Sequence, residues 1–403
     1  MLIYLNSTNQ IHKMSVLSSK DRITQLKKRF YHEILPRLRD REPRLQGDTL
    51  FGPSPPNLLI GSFGYPRVYA GPMVSLDNPV SDYSRLYGRS YSEIVKTFVM
   101  SVRGKRPVQV RNNSRLIERM QEVALSYKTI DVEVDVKNRP TYTPEFNEDS
   151  IPYGYTTYLR DLRIVENPKV PRIVYSRLDD DLRASEFMYE MYEHGLDVYY
   201  ISRLLTTGLL GRKPERKLVP TKWSITATDD ILAKENMRVI REYPEIDRYY
   251  VYENEFLHNR FYILFLPGRW EYEQFEAWPE GSEWNNPSWG FNHEYEPYRG
   301  RTRYAELQAG GYYAARLPVT EHLRRLRRQA RVIVFREIDQ EYAIPVGVWQ
   351  VRENVRHALM TGPTLTTDNL GEVFVYLDNR LKSGLSRYVR VSRILGQKRL
   401  FEG

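Results

Sequence analysis

The sequence predicts an α+β fold of unfamiliar topology, helices mixed with a largely antiparallel sheet, on three observations. Ile23, Leu26, Phe30, Ile34 and Leu38 recur at three- and four-residue steps, the spacing of one helix face. Ile130, Val132, Val134 and Val136 alternate with charged residues, the spacing of a strand with one dry face. Three apolar runs, Tyr249 to Glu253, Phe256 to Leu266 and Trp270 to Trp278, follow one another with short breaks and read as an antiparallel meander.

Taken in order, residues 1–20 are polar and aperiodic and are expected to be flexible, with Met14 an alternative start to Met1. A helix covers 21–39 with Lys27, Lys28 and Arg29 on its wet side. A second spans Ser90 to Gly104, capped by Ser90 with Glu93 three positions on. A short strand at 108–110, a helix at 113–127 and the alternating strand at 130–136 follow. Residues 139–158, rich in Pro, Tyr and Thr, show neither period and read as a loop, and Arg172 to Ser176 reads as a strand. Helices from Asp180 to Glu193 and from Asp197 to Leu205, joined at His194-Gly195, have the outline of a helix-turn-helix. The second offers few groups able to reach base edges, so a plain packing hairpin is the alternative.

The basic loop Gly211 to Lys217 suggests a boundary, giving regions 21–218 and 219–395 between the N-terminus and a tail at 396–403. Lys222 to Asp230 reads as a strand that delivers Asp229 and Asp230 to the head of the next helix. A helix at 320–330, strands at 331–338 and 342–350, and a helix stopped by Gly362-Pro363 complete the body.

The chain has 403 residues, enough for two or three domains or one large one, and a formal net charge of +9 that favours polyanionic partners over acidic ones. A merely soluble basic protein is the plainer alternative. The absence of cysteine excludes disulfides, thiol nucleophiles and cysteine-based zinc sites. The seven histidines stand apart with no ligand spacing, so neither zinc nor another metal is expected. No apolar run approaches the roughly 20 residues of a membrane span, and a cytoplasmic protein without a membrane partner is expected.

Five stretches carry candidate chemistry. Pro55 to Pro72 places Gly61, Ser62 and Gly64 in a turn between two short strands with Arg67 beside it, a build that suits a phosphate or nucleotide and equally a tight connection. Gly310, Gly311, Tyr312 and Arg316 repeat that logic, with close helix packing as the alternative. Asp229 and Asp230 are the acidic candidates for Mg²⁺ binding or general-base work, or are simply helix caps. Aromatics from Trp270 to Tyr304 read as a stacking belt for single strands or as a loop pinned to the core. Arg324, Arg325, Arg327, Arg328 and Arg331 read as a cationic DNA-binding face. Walker, HExxH, GxSxG and strand-linked GxGxxG signatures are absent.

The segment PPNLLIGSFGYPRVYAGP, the LDNP after it, KWSITATDD at 222–230 and GGYYAARLPVTEHL at 310–323 together resemble the Nre family of archaeal DNA repair proteins, over most of the chain from about Pro53 onward. The lack of cysteine fits that family's zinc-finger-free branch. The resemblance implies a role in DNA-damage repair and a C-terminal peptide that docks on the sliding clamp (PCNA). Gln397, Leu400 and Phe401 match that peptide except that the aromatic follows Leu400 at once, where the usual pattern sets it two or three positions later. The expected function is therefore a repair factor that associates with DNA, single-stranded DNA in particular, and with the clamp, carrying a pocket for an adenine-type nucleotide. The alternative is a hydrolase or transferase acting on a nucleotide or damaged DNA through Asp229 or Asp230 with Arg67 and Arg316.

Overall fold

The computed structural model describes residues 19–39, 42–54, 58–77, 79–111, 113–146, 151–280, 282, 290–342 and 344–396. Helix α1, Ser19–Arg29, runs through a π turn at Phe30–Ile34 into a last turn at Leu35–Leu38. Strands β1 (Leu45–Gln46), β2 (Thr49–Ser54), β3 (Leu58–Ile60) and β4 (Arg67–Ser75) lead to α2 (Tyr91–Val99). The Ser90 hydroxyl accepts from the Glu93 N–H while the Glu93 carboxylate accepts from the Ser90 N–H at 2.9 Å, the reciprocal cap that the spacing of the two residues indicates. The helix stops at Val99 and not at Gly104, because Ser101–Gln109 is strand β5. Gly104 faces Gly71 of β4, where a Cβ would lie 2.0 Å from the Gly104 carbonyl oxygen, so only glycine lets the two strands close there.

Helix α3 (Arg115–Leu125) and β6 (Ile130–Val136) fall where the periodicities put them, β6 alternating between buried and half-buried residues. The stretch 139–158 is not a loop. It holds β7 (Thr141–Glu145) and the start of β8 (Tyr153–Ile164), and residues 153–157 are buried in succession, which removes the alternation that marks a strand. The first sheet runs β1-β2-β6-β8-β5-β4-β3, with β7 beside β8. The β-branched run at 172–177 is helix α4 (Arg172–Arg177) and not a strand, entered from Pro171. Helices α5 (Ala184–Glu193) and α6 (Val198–Thr206) form a packing hairpin: Tyr200, Ile201, Ser202, Arg203 and Leu204 are all buried, so α6 has no face to offer a DNA groove.

Lys222 to Asp230 is likewise not a strand but the first half of α7, Thr221–Ile240. Its hydroxyls bond back to the helix's own carbonyls, Thr226 to Lys222 at 3.2 Å and Thr228 to Ser224 at 2.8 Å, which satisfies residues otherwise indifferent to helix. Asp229 and Asp230 therefore sit in mid-helix, and neither caps it. Strands β9 (Tyr249–Phe256) and β10 (Asn259–Leu266) meet in a two-residue turn at Leu257 and His258, both at positive φ. The meander ends there. Strand β11 (Glu271–Ala277) pairs not with β10 but with β12 (Asn292–Glu296) and, in parallel, with a later strand, β13 (Arg331–Ile338), which lies between it and β10.

Helix α8 (Ala309–Leu326) joins β12 to β13, and α9 (Trp349–Thr361) begins inside the stretch read as a strand at 342–350. Tyr342, Ile344, Val346 and Val348 alternate in the sequence, but residues 344–348 are all buried and lie outside any strand, so the alternation of residue types misleads. β14 (Leu365–Thr367), α10 (Leu370–Asp378), α11 (Leu385–Val389) and α12 (Arg393–Gly396) complete a second sheet, β12-β11-β13-β10-β9-β14, and its outer layer. The expected α+β class holds. Helix α7 joins the two cores, with Leu232 and Ala233 in the first and Met237 and Ile240 in the second. Among the described residues no helix is long and apolar enough to cross a membrane.

A candidate nucleic-acid cleft at the start of helix α7

The glycine turn docks on the head of α7. The Ile60 N–H donates to Thr221 Oγ1 at 2.9 Å, which ties the end of β3 to the helix. Gly64 adopts φ +79°, a conformation glycine reaches without strain, and the Arg67 N–H donates to its carbonyl at 2.9 Å. The Gly61 N–H bonds Tyr69 O at 2.8 Å and the Tyr65 N–H bonds Ser62 O at 3.3 Å. Three of the donors expected to cradle a phosphate are thus consumed inside the turn. What the turn presents outward is aromatic: Phe63 is 91% exposed, and the Tyr65 ring lies 5.2 Å from that of Trp223, itself 44% exposed. Lys217 Nζ donates to Tyr65 Oη at 3.2 Å, and Arg67 is exposed on β4.

Trp223 opens a cleft of about 590 Å³, lined by Lys222, Trp223, Thr226, Ala227 and Asp230 of α7 and by Tyr304, Ala309 and Tyr313. That size lies within the about 300–1,000 Å³ usual for ligand sites. Tyr304 and Tyr313 stack at 5.5 Å with their planes 25° apart, and Tyr313 Oη accepts from the Ala305 N–H at 3.0 Å. Asp230 stands at the cleft, held from below by the Arg316 guanidinium and from its own helix by Lys234 at 2.6 Å. Arg316 also bonds Glu296. Burial alone would lower the pKa of its guanidinium, and the carboxylates of Glu296 and Asp230 reverse this and raise it.

The second glycine pair is not a turn. Gly310 and Gly311 open α8 and are buried, and a Cβ on Gly311 would lie 3.3 Å from Glu276 Oε1, so the pair serves close packing of helix on sheet. Tyr312 is buried and donates to Glu296 at 3.1 Å. Gly310, Gly311 and Tyr312 therefore stand behind the cleft wall, and Arg316 reaches the cleft only through Asp230. Asp229 points away, its carboxylate held by Arg352 at 2.5 and 3.0 Å. Burial pushes its pKa up against the pull of Arg352. The pair lines a separate apolar cavity of about 50 Å³, far below the size of a ligand site.

The five arginines do not form one face. Helix α8 ends at Leu326, so Arg327 lies beyond it in the left-handed region and Arg331 begins β13. Arg324 is bound by Glu193 at 2.5 and 2.7 Å, Arg331 by Glu271 at 2.8 Å, and Arg325 donates to His322 Nδ1 at 2.9 Å. Arg327 and Arg328 are exposed. Trp270, Tyr272, Phe275, Trp278 and Phe291 are buried, so most of the aromatic belt is core and Tyr304 is its exposed ring at the cleft. Trp284, Trp289 and the tail residues Gln397, Leu400 and Phe401 lie outside the described residues. Among the described residues no group of three or more histidines and carboxylates gathers as a metal ion would need. Sequence reasoning missed Tyr65, Lys222 and Trp223 as one unit, although all three fall within motifs it singled out. The helical period of 222–230, hidden by its β-branched residues, would have put Lys222, Trp223, Thr226 and Asp230 on one side.

Residues 26–285 match the family model described as "Archaeal Nre, N-terminal" and residues 296–401 that described as "Archaeal Nre, C-terminal". The chain is 36% identical to the DNA repair protein NreA of Archaeoglobus fulgidus over 84% of its length and 85% of the relative's. It is 35% identical to the DNA repair protein NreA of Haloferax volcanii over 79% and 80%. It is 36% identical to the DNA repair protein NreB of Archaeoglobus fulgidus, over 87% and 90%. No solved structure matches the chain significantly. By both matched models and by relatives aligned over most of its length, this chain belongs to the archaeal Nre family.

Proposed function

We propose that this protein is a DNA repair factor that holds an unstacked nucleotide of single-stranded or damaged DNA in the cleft at the head of α7. The observation that carries the reading is the exposed pair Tyr65 and Trp223 at the cleft mouth, with Lys217 and Lys222 beside it. Exposed rings offer stacking faces to any base, and adjacent lysines neutralise the backbone. The relatives' names, DNA repair proteins NreA and NreB, support the same setting. An adenine-type nucleotide, free or within a strand, is accommodated by the same stacking. A binding role suits the cleft better than catalysis, because Asp229 faces Arg352 and Asp230 is held by two cations, which leaves neither poised as a base. In this reading Gln397, Leu400 and Phe401 tether the protein to the sliding clamp (PCNA), as a terminal peptide in a groove. Photo-crosslinking of a halogenated-uracil oligonucleotide, followed by peptide mapping, tests the site: adducts at Tyr65 or Trp223 are expected, and adducts confined to other surfaces would overturn it.

A further inference from the structure

The open face of the first sheet continues the cleft. By register Tyr69 of β4 stands opposite Pro107 of β5, Arg67 opposite Gln109, and Lys105 opposite Tyr158 of β8. Tyr69 is 37% and Tyr158 44% exposed, their rings 6.3 Å apart, and Lys105 Nζ lies 5.8 Å from one ring centre and 5.1 Å from the other. Two half-exposed tyrosines flanking a lysine give flat apolar faces with a cation between them. The β4 and β5 side of the sheet also carries cations outside any ion pair. Among the described residues Arg67, Arg103, Lys105, Arg111 and Lys217 make no ion pair. On the β6 side Arg119, Arg160 and Arg163 are paired with Asp161, Asp48 and the carboxylates of Glu133 and Asp135. The carboxylate that acts on Lys105, Glu145, accepts a hydrogen bond from Tyr153.

The unpaired cations lead to the cleft. The Val110 N–H donates to Pro66 O at 3.0 Å and the Leu218 N–H to Val110 O at 2.9 Å, which brings the end of β5, the glycine turn and Lys217 together under Tyr65. From Lys105 to Gln109, the end of β5, is roughly 13 Å of strand at about 3.3 Å per residue, and Arg111 just beyond extends the line to a length suited to a few nucleotides. We propose that this sheet face is a stacking platform for single-stranded DNA, along which the strand runs from Tyr158, Lys105 and Tyr69 over the glycine turn to Trp223. The proposal rests on the reading of the cleft as a nucleotide site. Single strands fit where duplex does not, because stacking on Tyr69 and Tyr158 needs bases free of their partners.

The test measures binding of deoxythymidine oligonucleotides of about 3 and about 12 nucleotides, within the range of single-strand sites. The proteins compared are wild type, Tyr69→Ala with Tyr158→Ala, Lys105→Gln and Trp223→Ala. The double variant is expected to bind the short oligonucleotide as wild type does and the long one about tenfold or more weakly, and Lys105→Gln is expected to flatten the salt dependence by about 0.7. Long-oligonucleotide affinity equal to wild type in both sheet variants overturns the platform. If Trp223→Ala then still weakens both lengths, the cleft stands alone. If Trp223→Ala has no effect while the double variant weakens the long oligonucleotide, the cleft reading falls, and with it the proposed path. A wild-type dimer in sedimentation that the double variant dissolves would assign the face to a second copy and overturn the proposal. Lys105→Gln, which leaves both rings in place, keeps the test valid should the double variant unfold.

Discussion

The ring of Tyr65 lies 5.2 Å from that of Trp223, joining the glycine turn of the first sheet to the first turn of α7. Neither ring is needed by a core, since 39% of one residue and 44% of the other remain open to solvent. Below them Asp230 is held by buried Arg316 and by Lys234, and the cations beside the mouth are Lys217 and Lys222.

Arg316 is wholly buried between Glu296 and Asp230. Replacing it with Met leaves Glu296 buried and unpaired, and breaking such a pair costs about 3–5 kcal/mol. Chemical denaturation of Arg316→Met should show a loss of that size. A loss below about 1 kcal/mol would mean that the pair is solvated.

Asp229 and Arg352 behave in the same way, 0% and 2% exposed and bonded through two contacts. Asp229→Ala should destabilise by about 3–5 kcal/mol, and Asp229→Leu with Arg352→Met should regain much of that. The pair lines a separate cavity and not the cleft, so whatever of the double variant folds should bind DNA as wild type does. Lost binding by folded protein would restore Asp229 as a functional residue.

His322 gives the pH dependence. Its Nδ1 accepts from Arg325 and its Nε2 faces Tyr252 Oη at 3.1 Å, so protonation would set a second cation against the guanidinium. Burial, with Arg325, holds its pKa down at about 4, against 6.5 for an ordinary histidine. The unfolded chain takes up its proton first as the pH falls, so stability present above pH 6.5 is lost progressively towards pH 4. The full loss is about 3 kcal/mol at 1.36 kcal/mol per unit. His322→Gln should flatten the stability curve in that window, and an unchanged curve would show that another group titrates.

Arg324 is a structural cation, since its guanidinium binds Glu193 across the two halves and Asn236 beside it. Arg324→Ala should therefore leave the salt dependence of DNA binding unchanged and lower stability modestly, by about 1 kcal/mol or less for a half-exposed pair. A shallower salt slope would return α8 to the DNA interface.

The proposed clamp tether lies in residues 397–403, outside the described residues. Deleting 397–403 should abolish clamp binding and leave DNA affinity and thermal stability as they were. Burial of Leu400 and Phe401 at about 1.5–3 kcal/mol each would supply most of the binding. Undiminished clamp binding by the truncated chain would falsify the tether.

Elements with one wet face were legible in the sequence: β6 and the Ser90–Glu93 cap follow period and spacing alone, and the first helix is where its period puts it, although the π turn at 30–34 leaves Ile34 exposed and buries Leu35 instead. Elements closed on several sides were not. Residues 153–157 are buried in succession, and α7 touches both cores, so no clean stripe marks either. The motif stretches did converge, through Tyr65 on Trp223 and Asp230 on Arg316. Their chemistry was misjudged, because sequence cannot tell whether a backbone N–H or a guanidinium is already bonded. Arg316, Arg324 and Gly311 were all committed to the protein itself, while Trp223, read as part of a strand, is the residue left open.

The most direct measurement is the affinity for a single-stranded oligonucleotide of wild type, Trp223→Phe and Trp223→Ala at one salt concentration. Stacking contributes about 1–3 kcal/mol per base. Trp223→Phe, which keeps a ring, should bind within a few-fold of wild type, and Trp223→Ala about tenfold or more weakly with an unchanged melting temperature. Equal affinity in all three proteins would contradict the cleft as the nucleotide site.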